Sequence, residues 1–245
     1  MPDPFVFVQP GADGFARLAP DDEHHLRRVL RLREGGRLTA SDGRGRTWPA
    51  RLSREGTVDL AGATRMHPRP SPLLHVLHAL PKGRKLEAVL QALVELGVDR
   101  ITTVVADRSV VRLDAHRVER SARRWTAVAR AAAAQARRAW LPEFQPATPV
   151  EVATAGAVLR EIQAAGVVAH VGAPTPLGEA LAALPPGLDA VAVAVGPEGG
   201  WTPAELRSWE AVGLQSVTLG SGVLRTEHAA FAACAAISFA LGRMA

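Results

Sequence analysis

Residues Ala190–Val195 read AVAVAV, six apolar positions in a row, and the run stops at Gly196-Pro197-Glu198-Gly199-Gly200. A strand with one wet face alternates polar and apolar side chains. A strand apolar on both faces has to be covered on both, which is the condition of a parallel sheet with helices on either side. The chain from residue 73 onward keeps to that condition by alternating strand-type and helix-type segments. Residues 74–80 and 101–105 read as strands, and between them Leu86, Val89, Leu90 and Leu93 keep helical spacing up to Gly97 at a C-cap position. Residues 116–138 form the longest helical pattern, with Val118, Ala122, Trp125, Ala129 and Ala132 on one stripe. Residues 167–171 and Ala190–Val195 are the remaining strands expected before the final segment.

The first 70 residues follow a different period. Short β-type runs at 5–9, 37–41, 47–53 and 57–60, with a turn at Asp42-Gly43, predict a small β-barrel. One short helix interrupts them, with Asp21 or Asp22 as N-cap, followed by Arg27, Arg28, Arg31 and Arg33. The prolines of His67-Pro-Arg-Pro-Ser-Pro72 forbid both helix and central strand, so the domain boundary is placed there, dividing the chain into 1–70 and 73–245.

After the GPEGG loop, Thr202-Pro203-Ala204-Glu205 is a capping box with proline at the first helical position. That helix runs to about Gly213, and residues 215–219 form a strand that stops at Gly220 and Gly222. Val223, Leu224, Arg225 and Thr226 then lead into a last helix near Glu227. Two glycine loops thus leave the carboxyl ends of two strands, where open parallel sheets bind ligands. The dinucleotide fingerprint G-x-G-x-x-G and the phosphate loop G-x-x-x-x-G-K-[ST] are both absent from this position.

Charge is divided unevenly along the chain. Residues 1–140 hold 25 Lys and Arg against 15 Asp and Glu, and residues 141–245 hold 4 against 9, so the halves stand at +10 and −5. A nucleic acid would meet the first part; the arginine-heavy usage of a GC-rich coding sequence gives the same skew. The arginines of the long helix form either a basic surface or a solvated face. Cys234 is the single cysteine, which excludes an internal disulfide and a cysteine metal cluster. No apolar run has the roughly 18 residues of a membrane span, and MPDPFVFVQPGAD lacks the pattern of a secretory signal, so a cytoplasmic location without membrane attachment is expected.

The motifs together resemble a known family. GPEGG after an apolar strand, followed by LG-x-x-x-LRTE opening the last helix, is similar to the RsmE family of small-subunit rRNA uridine N3-methyltransferases, in the SPOUT superfamily. His25 with Val29-Leu30-Arg31 and Gly35-Gly36 resembles that family's N-terminal RNA-binding motif. Leu80-Pro-Lys82, Glu95-Leu-Gly-Val98, Arg108-Ser-Val110 and Arg124-Trp125 resemble its central ones, so the likeness runs in order through most of the chain. The resemblance implies a PUA-like barrel followed by an α/β methyltransferase domain with a C-terminal trefoil knot, acting as a homodimer on ribosomal RNA of the small subunit.

By motif, the resemblance assigns S-adenosylmethionine binding to Val195, Gly196, Pro197, Glu198, Gly199 and Gly200, to Leu219, Gly220, Val223, Leu224, Arg225 and Glu227, and to His170, Val171 and Gly172 at a third strand end. Uridine N3 must lose its proton before or during methyl transfer, which calls for a base or for charges that favour the anion. Arg225 fits the second role. Glu198 is the candidate base, although it can equally accept bonds from loop amides, and Glu227 can serve the helix N-terminus. RNA contact falls to Arg28, Arg31, Arg108, Arg112 and Arg124. The chain departs from the family pattern at Ala92, Ala131 and Ala134, where charges are usual, and at His228, where Thr is common. A SPOUT ribose 2′-O-methyltransferase and a non-catalytic RNA-binding protein are the competing readings. Replacing Arg28 and Arg31 together with alanine is expected to weaken RNA binding and flatten the log–log salt slope by roughly 1 to 2, with S-adenosylmethionine affinity unchanged. Equal loss of both affinities in filter-binding and calorimetry would refute the assignment.

Overall fold

In the computed structural model, which describes residues 3–11, 14–54, 56–83, 85–109 and 115–244 apart from the side chains of 115–118 and 145–150, the N-terminal strands close on themselves. β1 (Phe5–Pro10), β2 (Phe15–Leu18), β3 (Arg37–Ser41), β4 (Arg46–Leu52) and β5 (Thr57–Leu60) run in the order β3-β1-β2-β5-β4, and a β3–β4 pairing closes the barrel. β6 (Arg65–Met66) pairs with β4. β1 and β3 are parallel and the other pairs antiparallel. Val6, Val8, Leu38, Ala40, Ala50 and Leu52 recur at every second residue and pack with Val58 and Leu26 into the barrel core.

The helix that interrupts these strands begins earlier than the acidic pair suggested. α1 (Pro20–His24) has Ala19 as its N-cap and Pro20 in the first turn, where the missing N–H removes no helical bond. Asp21, Asp22 and Glu23 sit in that first turn and suit the positive end of the helix dipole. The segment continues as a π-helical turn, His25–Val29, which buries Leu26 and leaves Arg28, Val29, Leu30 and Arg31 exposed, Arg31 at φ +53°. Arg27 fastens the turn by donating to Glu23 at 2.9 Å and to the carbonyl of Ser53 at 2.6 Å. This first compact unit also takes in Ala133–Leu141. Their backbone bonds Gly43 and Gly45, and Trp140 Nε1 donates to the carbonyl of His67 at 3.1 Å.

The second unit holds Pro70–Ala132 and the chain from Pro142 onward. Its strands are β7 (Leu73–Ala79), β8 (Arg100–Val105), β9 (Glu143–Glu151), β10 (Ala165–Ala169), β11 (Ala190–Val195) and β12 (Leu214–Val217). They form one sheet in the order β12-β10-β11-β7-β8-β9, with every pairing parallel. Between them run α2 (Lys85–Glu95), α3 (Ala115–Gln135), whose end counts with the first unit, α4 (Val152–Glu161), α5 (Leu177–Ala182) and α6 (Pro203–Glu210), with α7 (Thr226–Ala240) last. β11 is buried at all six positions. α7 packs on β11, β7 and α2, while α4 packs on α6, β8 and β9. Trp201 and Trp209 meet edge to face at 5.5 Å in a core shared with Leu159, Val168, Ala192 and Leu214.

Three elements of this unit lie outside the sequence expectations: β9, α4 and α5. β9 carries Pro146 and Pro149, which argue against a strand until its place is known; it is an edge strand, where one row of N–H groups has no ladder to join. β10 starts at Ala165, two residues before the expected run, because Gly166 joins the ladder opposite Ala192 and Leu214. The box at Thr202 forms as expected, with Glu205 N donating to Thr202 Oγ1 and Thr202 N to Glu205 Oε2.

From β12 at one edge, the chain passes β10 and returns to the middle of the sheet to lay α7 over β11 and β7. On the way it is bridged to the β10–α5 connection at Pro176 and Thr218. This return past an earlier connection is the path of the C-terminal knot that the resemblance implies. No helix among the described residues is long and apolar enough to cross a membrane. The tightest point of the sheet is Gly166, where an added Cβ would meet the carbonyl oxygen of Ala192 on the neighbouring strand well inside contact distance. Backbone cannot yield there as a flexible side chain would, so Gly166→Ala is expected to cost about 3 kcal/mol or more in chemical denaturation.

Candidate functional site

Three loops leave the carboxyl ends of the adjacent strands β10, β11 and β12, and together they line a cavity of about 830 Å³. The β10 loop supplies His170, Val171 and Gly172; the β11 loop supplies Gly196 to Trp201; the β12 loop supplies Thr218 to Arg225. Ala169 and Val195 at the strand ends, Thr226 and Ala229 of α7, Lys85 of α2 and Arg108 after β8 complete the wall. Every residue assigned to cofactor binding from the sequence lines this cavity except Glu227, which stands at its edge through an ion pair with Lys85. Two of the loops hold each other by backbone: Thr218 N donates to Thr175 O at 2.9 Å and Leu177 N to Thr218 O at 3.0 Å.

The glycines of the β11 loop have separate reasons. Gly200 has φ +68°, which closes a turn in which its N–H donates to Pro197 O at 2.8 Å. Gly199 lacks a Cβ where one would stand 3.0 Å from Arg108 Cβ, and in the space so kept Arg108 Nη1 donates to the carbonyls of Gly199 at 3.1 Å and Trp201 at 3.4 Å. Gly196 lacks a Cβ where one would stand 3.1 Å from Trp201 Nε1, and its carbonyl accepts from the buried hydroxyl of Thr226 at 2.6 Å, which ties the loop to the first turn of α7.

Charge is concentrated on one side. Lys85 Nζ lies 3.2 Å from Glu198 Oε1 and 3.3 Å from Glu227 Oε2, so one ammonium joins the β11 loop to the start of α7. The Lys82 amide donates to the same Glu198 carboxylate at 3.2 Å. Burial works against the charge on Glu198, but bonds from its own amide, from Lys85 and from the Lys82 amide outweigh it and hold the carboxyl below the usual range. Glu227 is lowered too, first by its own amide and then by Lys85. Lys85 is raised, mainly by its bond to Glu198. Beneath them His78 is wholly buried; burial lowers its pKa, so the ring is neutral, with Nδ1 donating to Ala79 O at 2.6 Å.

The residues expected to meet RNA are divided between the two units. Arg28 and Arg31 are exposed on the first unit. Arg108 lines the cavity and spends Nη1 on the loop carbonyls. Arg124 pairs with Glu87 at 2.8 Å, and Arg112 lies outside the described residues. Lys85, Trp201 and Thr218 were not singled out by the sequence, and Thr226, although part of the LRTE motif, was given no role in the site. Lys85 carried a signal, as one of two lysines in the chain, whereas Thr226 is read only once Gly196 is its neighbour. His228 is exposed beside Glu227.

The sequence matches the model of an RNA methyltransferase domain over residues 68–238 and that of an RNA methyltransferase PUA domain over residues 18–59. Ribosomal RNA small subunit methyltransferase E of Mycobacterium bovis is 34% identical to it over 98% of this chain and 92% of the relative. Among solved structures, a Legionella pneumophila methyltransferase in complex with S-adenosylmethionine superposes with a TM-score of 0.83, at 29% identity and 98% coverage of each chain. Ribosomal RNA small subunit methyltransferase E of Neisseria gonorrhoeae, bound to S-adenosylmethionine, gives a TM-score of 0.81 at 29% identity, covering 96% of this chain and 97% of that one.

Thr226 offers a test that needs no ligand. Thr226→Val keeps the shape and leaves the carbonyl of Gly196 without its buried donor, so urea unfolding is expected to show a loss of about 1–3 kcal/mol. An unchanged midpoint and slope would show that the bond contributes nothing to holding the loop.

Proposed function

The chain belongs to the ribosomal RNA small subunit methyltransferase E family, and from that premise we propose that it uses S-adenosylmethionine to methylate N3 of a uridine in 16S rRNA. The observation that carries the proposal is the three-loop cavity at the strand ends, which gathers the residues of both glycine motifs around one volume. That volume falls in the range of small-molecule sites. Its wall mixes apolar side chains such as Val171, Val195 and Leu224 with the amides and carbonyls of three loops, which suits a purine, a ribose and an amino-acid tail. Glu198 places a carboxylate on the wall for a cationic ligand. S-adenosylmethionine, when bound, supplies a methyl group made electrophilic by its sulfonium.

The chain's own residues have to hold the base and favour loss of its N3 proton. Arg225 lines the cavity as the N-cap residue of α7, and its guanidinium can donate to a carbonyl oxygen beside N3, where negative charge develops. The α7 N-terminus adds positive potential at the same point. Glu198, with its lowered pKa, is ionised at neutral pH and holds the loop to Lys82 and Lys85. The uridine has to leave its stack to enter the cavity. Arg28 and Arg31 on the barrel, with Arg108, Arg112 and Arg124, are the proposed RNA contacts, and a cytoplasmic homodimer is the proposed working form.

The deciding measurement is the identity of the methylated nucleoside. Small ribosomal subunits from a strain lacking the gene are incubated with the protein and S-adenosylmethionine, and their RNA is digested for mass spectrometry. Appearance of 3-methyluridine only in the treated sample is the expected result. A ribose-methylated nucleoside would replace the proposal with the 2′-O reading, and no new methyl group would replace it with a binding protein.

A further inference from the structure

Uracil N3 is flanked by two carbonyl groups, and loss of its proton spreads negative charge over both oxygens. Arg225 answers one of them. We propose that Lys85 is a second catalytic residue, its ammonium donating to the other carbonyl oxygen of the bound uridine while Glu198 and Glu227 hold it in place. This rests on the uridine-N3 reading given above.

The geometry points there in three ways. Lys85 comes from the start of α2, outside the three loops, and still lines the cavity. Its Nζ is fixed from two sides, 3.2 Å from Glu198 and 3.3 Å from Glu227, carboxylates that belong to the two loop-and-helix segments closing the site. An ammonium has three donors, so two carboxylate bonds leave one to give, and the side chain keeps 38% of its surface open. A staple between loops is the plainer role, but ion pairs this exposed contribute little to stability.

The carboxylates themselves make poor bases. Both are held below the usual range, whereas an efficient general base has a pKa near the working pH. Lys85 meets Glu198 from the β11 loop and Glu227 from α7; around those carboxylates lie the Lys82 amide at the turn before α2, His228 of α7 and His78 of β7, while Arg225 and Arg108 line the same cavity. His78 is buried away from the cavity wall. In the proposed step the N3–H bond breaks, the proton passes to a hydroxide ion of the solvent to give water, and the electron pair stays on the ring. Lys85 and Arg225 stabilise that pair where it reaches the two oxygens. Without Lys85, Glu198 and Glu227 would lose the ammonium that pairs with both of them.

The experiment compares the wild type with Lys85→Met and Lys85→Arg, measuring kcat on small subunits from pH 6 to 9.5 and S-adenosylmethionine affinity by calorimetry. Lys85→Met is expected to lower kcat about 100-fold at neutral pH, the loss typical of one removed anion-stabilising donor. That deficit should shrink as pH rises and more uridine ionises unaided, while cofactor affinity stays within about threefold and Lys85→Arg restores most of the rate. A deficit constant across pH, or cofactor affinity falling in parallel with rate, would reduce Lys85 to a staple and overturn the proposal. Failure of the wild type to make 3-methyluridine would remove the uridine-N3 reading and this inference together.

Discussion

A strand with no polar face has to be covered twice, and β11 is buried at every one of its six positions. Meeting that demand sets the rest of the second unit. α4 and α6 with the Trp201–Trp209 pair cover one side, and α7 covers the other. α7 is the last helix of the chain, so the polypeptide must come back from the edge strand β12 to the middle of the sheet. The return places the loop 218–225 beside the loops of β10 and β11, and the cavity follows from it. Fold and site are therefore one packing solution.

Within that solution, small residues decide how closely parts approach. Gly166 lets β10 and β11 pair, and Gly199 lets Arg108 reach the carbonyls of the β11 loop. Thr226 secures the loop from the other side. The loop that carries Glu198 is thus held by a guanidinium, a hydroxyl and an ammonium from three elements distant in sequence. Such preorganisation is what a site needs if it is to stabilise charge without rearranging.

Features governed by neighbours in sequence were legible before the structure. The apolar run of β11, the capping box at Thr202 and the glycine loops each carry their own local cause, and each formed where expected. Features governed by distant partners were not. β9 hides behind Pro146 and Pro149 because only its edge position makes them tolerable. α1 starts at Pro20, with Ala19 as a cap that has no side-chain bond to announce it. Lys85 looks like an ordinary helix-start lysine until Glu198 and Glu227, more than a hundred residues on, are brought to it.

The order in which the wall is made has a consequence for synthesis. Apart from Lys85 and Arg108, every residue lining the cavity lies between Ala169 and Ala229. A chain leaving the ribosome amino end first can close its barrel, whose strands end at Met66, while the whole of that wall is still unmade. A nascent molecule therefore owns an arginine-bearing surface well before it owns a pocket. Until α7 has emerged and been drawn back over β11, the loops of β10, β11 and β12 have no common volume to enclose.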